Sequence, residues 1–204
     1  MAARFIAIAG NIGAGKSTMV RFLSKRFALN PLYEPVDDNP YINDFYEDMN
    51  RWAFSSQIFY LSRKFALHLE AQKSNERVVL DRSVYEDAEI FVESLHKRKV
   101  LNTRDYNTYM DLYATIRQEL QPPDLMIYLR CSVRGVRRRI RERGRKSELE
   151  IPLSYIQRLH KSYESWFDAY ELGPKAIIET EKKDYMRDII HRVDIFEQIE
   201  NLLR

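Results

Sequence analysis

The sequence predicts an α/β fold in which a parallel sheet of five strands is covered by helices on both faces. Short apolar runs alternate with longer helical patterns, as in right-handed βαβ crossovers. The apolar runs are continuous, as expected of strands that are buried on both faces of a sheet. With 204 residues, 45% of them hydrophobic, the chain can bury one sizeable core, which predicts a single domain over residues 1–204.

The five apolar runs are interpreted as strands in the order in which they occur. They lie at 5–9, 31–33, 78–80, 125–129 and 176–178. Helical patterns predict helices at about 16–27, 51–73, 85–98, 105–120, 132–143, 153–171 and 184–203. Pro122-Pro123 ends the helix before the fourth strand, and Gly173-Pro174 ends the helix before the fifth.

Composition and charge exclude several classes of protein. The net charge of +3 is too small to indicate nucleic acid or membrane as a partner. Cys131 is the only cysteine, which excludes an internal disulfide and a cysteine-based zinc cluster. No apolar run approaches the roughly 20 residues that cross a bilayer, and no secretory leader precedes the first strand. We therefore expect a cytoplasmic protein.

The most informative motif follows the first strand directly. Residues 10–17 read Gly-Asn-Ile-Gly-Ala-Gly-Lys-Ser and satisfy the pattern GxxxxGK[ST] between a predicted strand and a predicted helix. Lys16 would place its charge on the β and γ phosphates of a nucleotide, and the Ser17 hydroxyl could ligate Mg²⁺. The motif predicts a P-loop NTPase-like fold. The expected nucleotide contacts are Gly10, Asn11, Ile12, Gly13, Ala14, Gly15, Lys16, Ser17 and Thr18.

Two acids follow predicted strands at the sheet edge where ligands of open α/β folds bind. Glu34 comes after the second strand, beside the stiffening Pro35, and could act as a general base; the alternative is an exposed loop glutamate. Asp81 closes the third strand and could orient Mg²⁺, while Arg82 could neutralise a transferring phosphoryl group. A structural ion pair between Asp81 and Arg82 is the alternative.

An arginine-rich segment follows the fourth strand. Arg139 and Arg143 lie one helical turn apart, and Gly144 then ends the helix, so that Arg145 could swing over a site. This pattern predicts a mobile arginine-rich lid at about 139–151, whose arginines would spread the charge on the γ-phosphoryl oxygens. Arg137, Arg138 and Arg141 are interpreted instead as a solvated face or as partners of Glu142.

Together these motifs resemble the deoxynucleoside kinase family, in the branch of the deoxycytidine, deoxyguanosine and deoxyadenosine kinases, and the bacterial deoxyadenosine/deoxyguanosine kinases in particular. The resemblance covers nearly the whole chain and rests on the phosphate loop and on residues 34–36, 52–57, 81–87, 143–148 and 151–153. It implies that the γ-phosphoryl group of ATP passes to the 5′-hydroxyl of a deoxynucleoside in nucleotide salvage, with Mg²⁺. It also implies a homodimer, and feedback inhibition by a deoxynucleoside triphosphate.

The resemblance implies roles for residues that contact the reacting sugar. Glu34 matches the base that accepts the proton of the 5′-hydroxyl, with Arg82 close by. Tyr46 and Glu148 match the pair that holds the 3′-hydroxyl, with Glu148 reaching in from the lid. Val36 belongs to the implied substrate contacts.

The resemblance implies further roles for residues beside the nucleobase of the deoxynucleoside and beside the adenine of ATP. Gln57 matches an amide that hydrogen-bonds the base edge, and Phe91 matches an aromatic that stacks on the base. Asp87 matches an acid that selects purines or cytosine over thymine with a basic partner. On the donor side the implied residues are the lid arginines Arg139, Arg143 and Arg145, and Asp184-Tyr185 beside the adenine.

Three positions depart from the family pattern. Asp81 replaces the glutamate of animal members, which leaves direct and water-mediated Mg²⁺ contact both open. Ser56 stands where animal members have an aromatic residue. Lys64 occupies the usual position of the arginine that pairs with Asp87, and lysine lacks the bidentate fork of arginine. Either Arg63 reaches round to Asp87, or the base pocket is looser than in relatives.

Two other functions fit part of the pattern. A nucleoside monophosphate kinase of the thymidylate kinase type would need a cationic site for the acceptor's phosphate, but residues 46–57 offer mostly neutral and acidic groups apart from Arg51. A nucleotide-gated protein could grip nucleic acid through its arginine-rich helix. Neither function explains Glu34, Asp87 and Glu148 together. The favoured substrates are deoxyadenosine and deoxyguanosine, with deoxycytidine possible.

Overall fold

A computed structural model describes residues 3–33, 38–181, 185 and 188–203 of the chain. Its five strands are β1 (Phe5–Ala9), β2 (Asn30–Leu32), β3 (Val78–Asp81), β4 (Leu125–Arg130) and β5 (Lys175–Glu179). They form one sheet in the order β2-β3-β1-β4-β5, and every pair of neighbours is parallel. The predicted five-stranded parallel sheet is therefore confirmed.

The helices that connect these strands follow the predicted order, with three differences. The bounds are α1 (Lys16–Phe27), α2 (Ile42–Glu47), α3 (Met49–Lys73), α4 (Val84–Glu86), α5 (Glu93–Lys97), α6 (Thr103–Gln118), α7 (Val133–Arg143), α8 (Lys146–Leu149), α9 (Leu153–Asp168) and α10 (Ile189–Leu203). The short helices α2 and α8 were not predicted, because four to six residues are too few to show a helical period. The predicted start of the last helix, residue 184, lies outside the described residues.

The third difference concerns the segment predicted as one helix at 85–98. It consists of the single turn α4, a π-helical stretch over Asp87–Val92, and α5. Ser83 and Glu86 form a capping box at the start of α4, which begins this segment directly after β3. A π-helix is rare and occurs frequently at functional sites. The side chains of Asp87 and Phe91, both in the π-helical stretch, line the cleft described below.

Two apolar layers cover the two faces of the sheet. Ile6 and Ile8 of β1 pack in a buried cluster with residues of α1 and α10. Ala7 and Ala9 alternate with them and pack in a second cluster with residues of α3, α9 and the π-helical stretch. Helices therefore cover both faces, as predicted. Within the described part of the chain, no helix is long and apolar enough to span a membrane.

His68 of α3 is a buried titratable group in the second layer. Its ring packs edge-on against Phe5 at 4.9 Å and against Tyr85 at 5.7 Å, and its Nε2 lies 2.8 Å from the carbonyl oxygen of Gln121. Because a carbonyl oxygen only accepts, Nε2 carries the proton of a neutral imidazole. Burial lowers the pKa of His68, against a smaller opposing effect of the hydrogen bond to Gln121.

We expect this histidine to make the fold less stable in acid. In the unfolded chain His68 binds a proton near its ordinary pKa of about 6.5, whereas the folded protein binds it only at lower pH. The free energy of unfolding should therefore decrease as the pH falls below about 6.5. His68→Gln keeps an N–H donor that does not titrate, so urea unfolding between pH 7.5 and 5 should show a shallower decrease for this variant. Parallel curves for the two proteins would contradict the prediction.

Candidate functional site

The carboxyl ends of β1 and β3, together with α2, α3 and the segment after α7, surround one cleft of about 1020 Å³. This is the sheet edge where ligands of open α/β folds bind. The predicted site residues that line it are Ile12, Gly13, Gly15, Lys16, Ser17, Thr18, Tyr46, Gln57, Asp81, Arg82, Asp87, Phe91, Arg143, Arg145 and Glu148. Glu34, Val36 and Asp184 lie outside the described residues.

The phosphate loop connects β1 to α1 and depends on glycine at two positions. Gly13 has φ 76° and Gly15 has φ 98°, conformations that other residues rarely adopt. A Cβ atom at Gly13 would lie 2.7 Å from Cγ1 of Ile140, so α7 closes against the back of the loop. The Lys16 ammonium donates to the carbonyl oxygens of Gly10 at 2.9 Å and Asn11 at 3.1 Å. These contacts hold its charge within the loop.

Ser17 and Asp81, the two predicted Mg²⁺ ligands, lie together at the floor of the cleft. The Ser17 hydroxyl donates to Oδ2 of Asp81 at 2.5 Å. Mg²⁺ prefers oxygen ligands and is commonly held by one or two carboxylates, water and substrate phosphates. A hydroxyl and a carboxylate beside a phosphate loop are therefore a donor set that fits Mg²⁺ bound to a nucleotide.

Arg82 follows Asp81 and has an unusual backbone conformation. Its φ is 70°, in the left-handed region, which costs a non-glycine residue on the order of 1–3 kcal/mol. Arg82 is 4% exposed, and its guanidinium donates to the Tyr163 hydroxyl and lies 4.6 Å from the centre of the Phe91 ring. The strained turn after β3 therefore presents this guanidinium at the cleft in a fixed position.

A buried ion pair lies beside the predicted base pocket. Nζ of Lys64 is 2.5 Å from Oδ1 of Asp87, and the two side chains are 2% and 6% exposed. The Arg63 guanidinium lies instead over the ring of Phe59. Of the two alternatives that the sequence left open, the structure therefore supports Lys64 as the partner of Asp87.

Ser56 and Gln57 lie on α3 about two turns before Lys64, and both line the cleft. The Ser56 hydroxyl is buried and accepts a hydrogen bond from the Asn39 amide at 3.0 Å. Phe91 therefore has no aromatic counterpart from position 56, in agreement with the departure seen in the sequence. Tyr60, one turn along α3 from Ser56, also lines the cleft and adds an aromatic ring to it.

The lid brings the predicted sugar contacts together. Arg143 donates to Oε2 of Glu148, and Nη1 of Arg145 lies 3.8 Å from Oε1 of the same carboxylate. Burial raises the pKa of Tyr46, and the nearby negative charge of Glu148 raises it further. Tyr46 from α2 and Glu148 from α8 are thus close enough to interact across the cleft, although they are about 100 residues apart in sequence.

Two predicted donor contacts lie behind the phosphate loop and not in the cleft. Arg139 is 6% exposed and donates to the carbonyl oxygens of Ala14 at 2.8 Å and Thr180 at 2.6 Å. Tyr185 is fully buried, and its hydroxyl donates to the carbonyl oxygen of Gly15 at 3.0 Å. The structure corrects the predicted position of Arg139: its Nη1 and Nη2 atoms donate to backbone carbonyls, so that it supports the loop from α7. Contacts of these residues with a nucleotide stay predictions.

Sequence reasoning missed three polar residues that support the site. Glu86 is fully buried and accepts hydrogen bonds from the backbone N–H of Gly10 and from the Tyr163 hydroxyl. Thr180 accepts two hydrogen bonds from Arg139. The spacing Ser83-x-x-Glu86 is a capping-box signal that could have identified Glu86. Tyr163 and Thr180 have no local signal, because their partners are distant in sequence.

Several known proteins are similar to this chain in sequence and in structure. The family model described as deoxynucleoside kinase matches residues 6–204. A deoxyadenosine/deoxycytidine kinase of Bacillus subtilis is 34% identical over 97% of this chain and 92% of its own, and a deoxyguanosine kinase of Lactobacillus johnsonii is 34% identical over 95% and 90%. The solved structure of a deoxyadenosine kinase from M. mycoides with bound dATP has a TM-score of 0.82 at 32% identity, covering 97% of this chain and 99% of the other.

Proposed function

Because the chain belongs to the deoxynucleoside kinase family, we propose that its cleft binds ATP and a deoxynucleoside side by side and transfers the γ-phosphoryl group to the 5′-hydroxyl. The protein is an ATP-dependent deoxynucleoside kinase, a phosphotransferase whose acceptor is an alcohol. The observation that carries the proposed geometry is that Lys16 and Ser17 line the same cleft as Gln57 and Asp87.

The donor half of the cleft binds the phosphates. Lys16 contributes its positive charge to the β and γ phosphates, and backbone N–H groups of the loop and of the start of α1 surround them. Ser17 and Asp81 would hold Mg²⁺, which would offset the negative charge that develops on the phosphate oxygens during transfer. Arg143 and Arg145, near the cleft at the lid, would add positive charge when the lid covers the phosphates. Closure would also exclude water and limit ATP hydrolysis.

The acceptor half positions the deoxyribose. Tyr46 and Glu148 would hold the 3′-hydroxyl from opposite sides of the cleft. The 5′-hydroxyl would then point at the γ phosphate, with Arg82 beside it and Glu34 as the base that accepts its proton. In-line transfer through a loose transition state requires mostly positioning and charge stabilisation, which is what these groups supply.

The base pocket supports a preference for deoxyadenosine and deoxyguanosine over thymidine, with deoxycytidine as a further substrate. Adenine and cytosine present an exocyclic amine that donates to a carboxylate such as Asp87, whereas thymine presents a carbonyl oxygen at that position. Lys64 pairs with this carboxylate beside the cleft. The ammonium could also donate to the O6 acceptor of guanine.

Asp87→Asn is expected to relax this discrimination. An amide can turn its N–H₂ group toward thymine O4, so the ratio of kcat/KM for deoxyadenosine to that for thymidine should fall about 10- to 100-fold. Because both substrates are measured on the same variant, loss of folded protein through the unbalanced charge of Lys64 cancels in the ratio. The exposed Asp111→Asn on α6 is a matched control that should keep the wild-type ratio. An unchanged ratio in Asp87→Asn would remove Asp87 from base selection.

The direct test of the proposed function is steady-state phosphorylation of the four deoxynucleosides and of deoxyadenosine monophosphate with Mg-ATP. We expect turnover of deoxyadenosine and deoxyguanosine well above that of thymidine. Phosphorylation of the monophosphate alone would indicate a nucleoside monophosphate kinase. The same assay with Mg²⁺ removed by a chelator should show no turnover, because the Ser17 and Asp81 site would then be without its metal.

The proposal includes a homodimer, which rests on the family resemblance. A molar mass near twice the 24.4 kDa of one chain, measured by light scattering, would support the dimer.

A further inference from the structure

Glu86 is a carboxylate that the fold shields completely from solvent, although it lies directly behind the cleft. Its side chain is 0% exposed, and it ends the single turn α4 between Arg82 and Asp87. A buried charge is unfavourable unless it is paired and hydrogen-bonded, so a fully buried glutamate next to a site requires an explanation.

The two oxygens of this carboxylate serve different purposes. Oε2 accepts hydrogen bonds from the backbone N–H of Ser83 at 2.8 Å and from the Ser83 hydroxyl at 3.1 Å, which is the local capping box of α4. Oε1 accepts from the backbone N–H of Gly10 at 3.2 Å and from the Tyr163 hydroxyl at 2.9 Å. The cap accounts for Oε2 alone. Oε1 instead joins the first residue of the phosphate loop to α9.

Oε1 also faces the guanidinium of Arg82. Nη1 of Arg82 lies 3.7 Å from Oε1 and donates to the Tyr163 hydroxyl, which in turn donates to Oε1. Tyr163 is fully buried and stacks on Tyr128 with the ring centroids 5.8 Å apart, so its hydroxyl has little freedom to move. Arg82, Tyr163 and Glu86 therefore form a short chain of polar contacts that ends on the backbone of Gly10.

We propose that Glu86 is a positioning residue, which fixes the Arg82 guanidinium relative to the phosphate loop and thereby aligns the acceptor half of the cleft with the donor half. The left-handed backbone of Arg82 makes such support necessary, because that conformation persists only when surrounding contacts hold it. Glu86 itself does not contact substrate. The inference rests on the proposed function, since it assigns Arg82 to the phosphoryl transfer of that reaction.

The test is a double-mutant cycle between Glu86→Gln and Arg82→Met, measured as kcat for the preferred deoxynucleoside with labelled ATP. In the wild-type background Glu86→Gln should lower kcat about 10- to 100-fold, while KM for the deoxynucleoside and Kd for ADP change less than about threefold. In the Arg82→Met background the same substitution should lower kcat less than about threefold, because the residue through which it acts is absent. A merely structural glutamate would cost the same factor in both backgrounds.

Glu93→Gln is the matched control. Glu93 accepts a hydrogen bond from Tyr106 at 2.6 Å and pairs with Lys97 at 2.9 Å. Like Glu86 it therefore has a tyrosine and a cation as partners, but it does not line the cleft. Its kcat should stay at the wild-type value. Tyr163→Phe is a second variant in case Glu86→Gln does not fold, because it removes the connecting hydroxyl and keeps the ring. It should lower kcat about three- to tenfold, again only when Arg82 is present.

The outcomes separate this inference from the function on which it rests. Equal factors in both backgrounds, or unchanged kcat in both Glu86→Gln and Tyr163→Phe, would overturn the positioning role while leaving the kinase intact. If the wild-type protein turned over no deoxynucleoside, the proposed function would be overturned and the inference with it.

Discussion

Lys16→Met is expected to lower kcat by at least about 1,000-fold, the largest effect of any single substitution in this cleft. The Lys16 ammonium would contact the β and γ phosphates, where negative charge is concentrated during transfer. In the structure it is 7% exposed, so little water competes for its charge. If this preorganised charge is removed, solvent cannot take its place in such a site.

Methionine is chosen because it matches the length of the lysine side chain. Lys16 donates to the carbonyl oxygens of Gly10 and Asn11, and these oxygens can turn to water when the ammonium is absent. We therefore expect normal thermal unfolding together with weaker binding of ATP. Lys25→Met on the exposed side of the same helix is the control and should keep wild-type kcat. A Lys16→Met variant with more than a tenth of wild-type kcat would remove Lys16 from transition-state stabilisation.

Glu34→Gln is expected to lower kcat about 100- to 10,000-fold while ATP binding is retained. The amide is nearly the same size as the carboxylate but cannot accept the proton of the 5′-hydroxyl. In sequence, Glu34 comes two residues after the end of β2, and β2 pairs with β3, which ends at Asp81, the residue before Arg82. The carboxyl ends of these two neighbouring strands lie at the same edge of the sheet, which is where ligands of open α/β folds bind.

The matched control is Glu47→Gln, which removes a carboxylate from the rim of the same cleft without removing the proposed base. Its kcat should remain within about threefold of the wild-type value, since a rim charge is screened by solvent. Comparison of the two variants separates general base catalysis from the overall negative charge of the cleft. Wild-type turnover in Glu34→Gln would identify another group, or water, as the proton acceptor.

The sequence alone was sufficient to predict the parallel sheet, its flanking helices and the phosphate loop. Each depends on local signals: continuous apolar runs for buried strands, a 3.6-residue period for helices, and fixed glycines with Lys16 and Ser17 for the loop. The resemblance added Tyr46, Gln57 and Asp87, all of which line the cleft in the structure. It did so because their joint spacing, and not any one of them, is specific.

The tertiary structure decided which side chains meet. Lys64 and not Arg63 reaches Asp87, because the direction in which each leaves α3 depends on how that helix packs. Arg139 supports the phosphate loop, because α7 packs against Gly13 through Ile140. Glu86 carried only a capping signal in the sequence. Its link from Gly10 to Tyr163 arises from parts of the chain that are more than 70 residues apart, and local sequence patterns do not encode contacts at that distance.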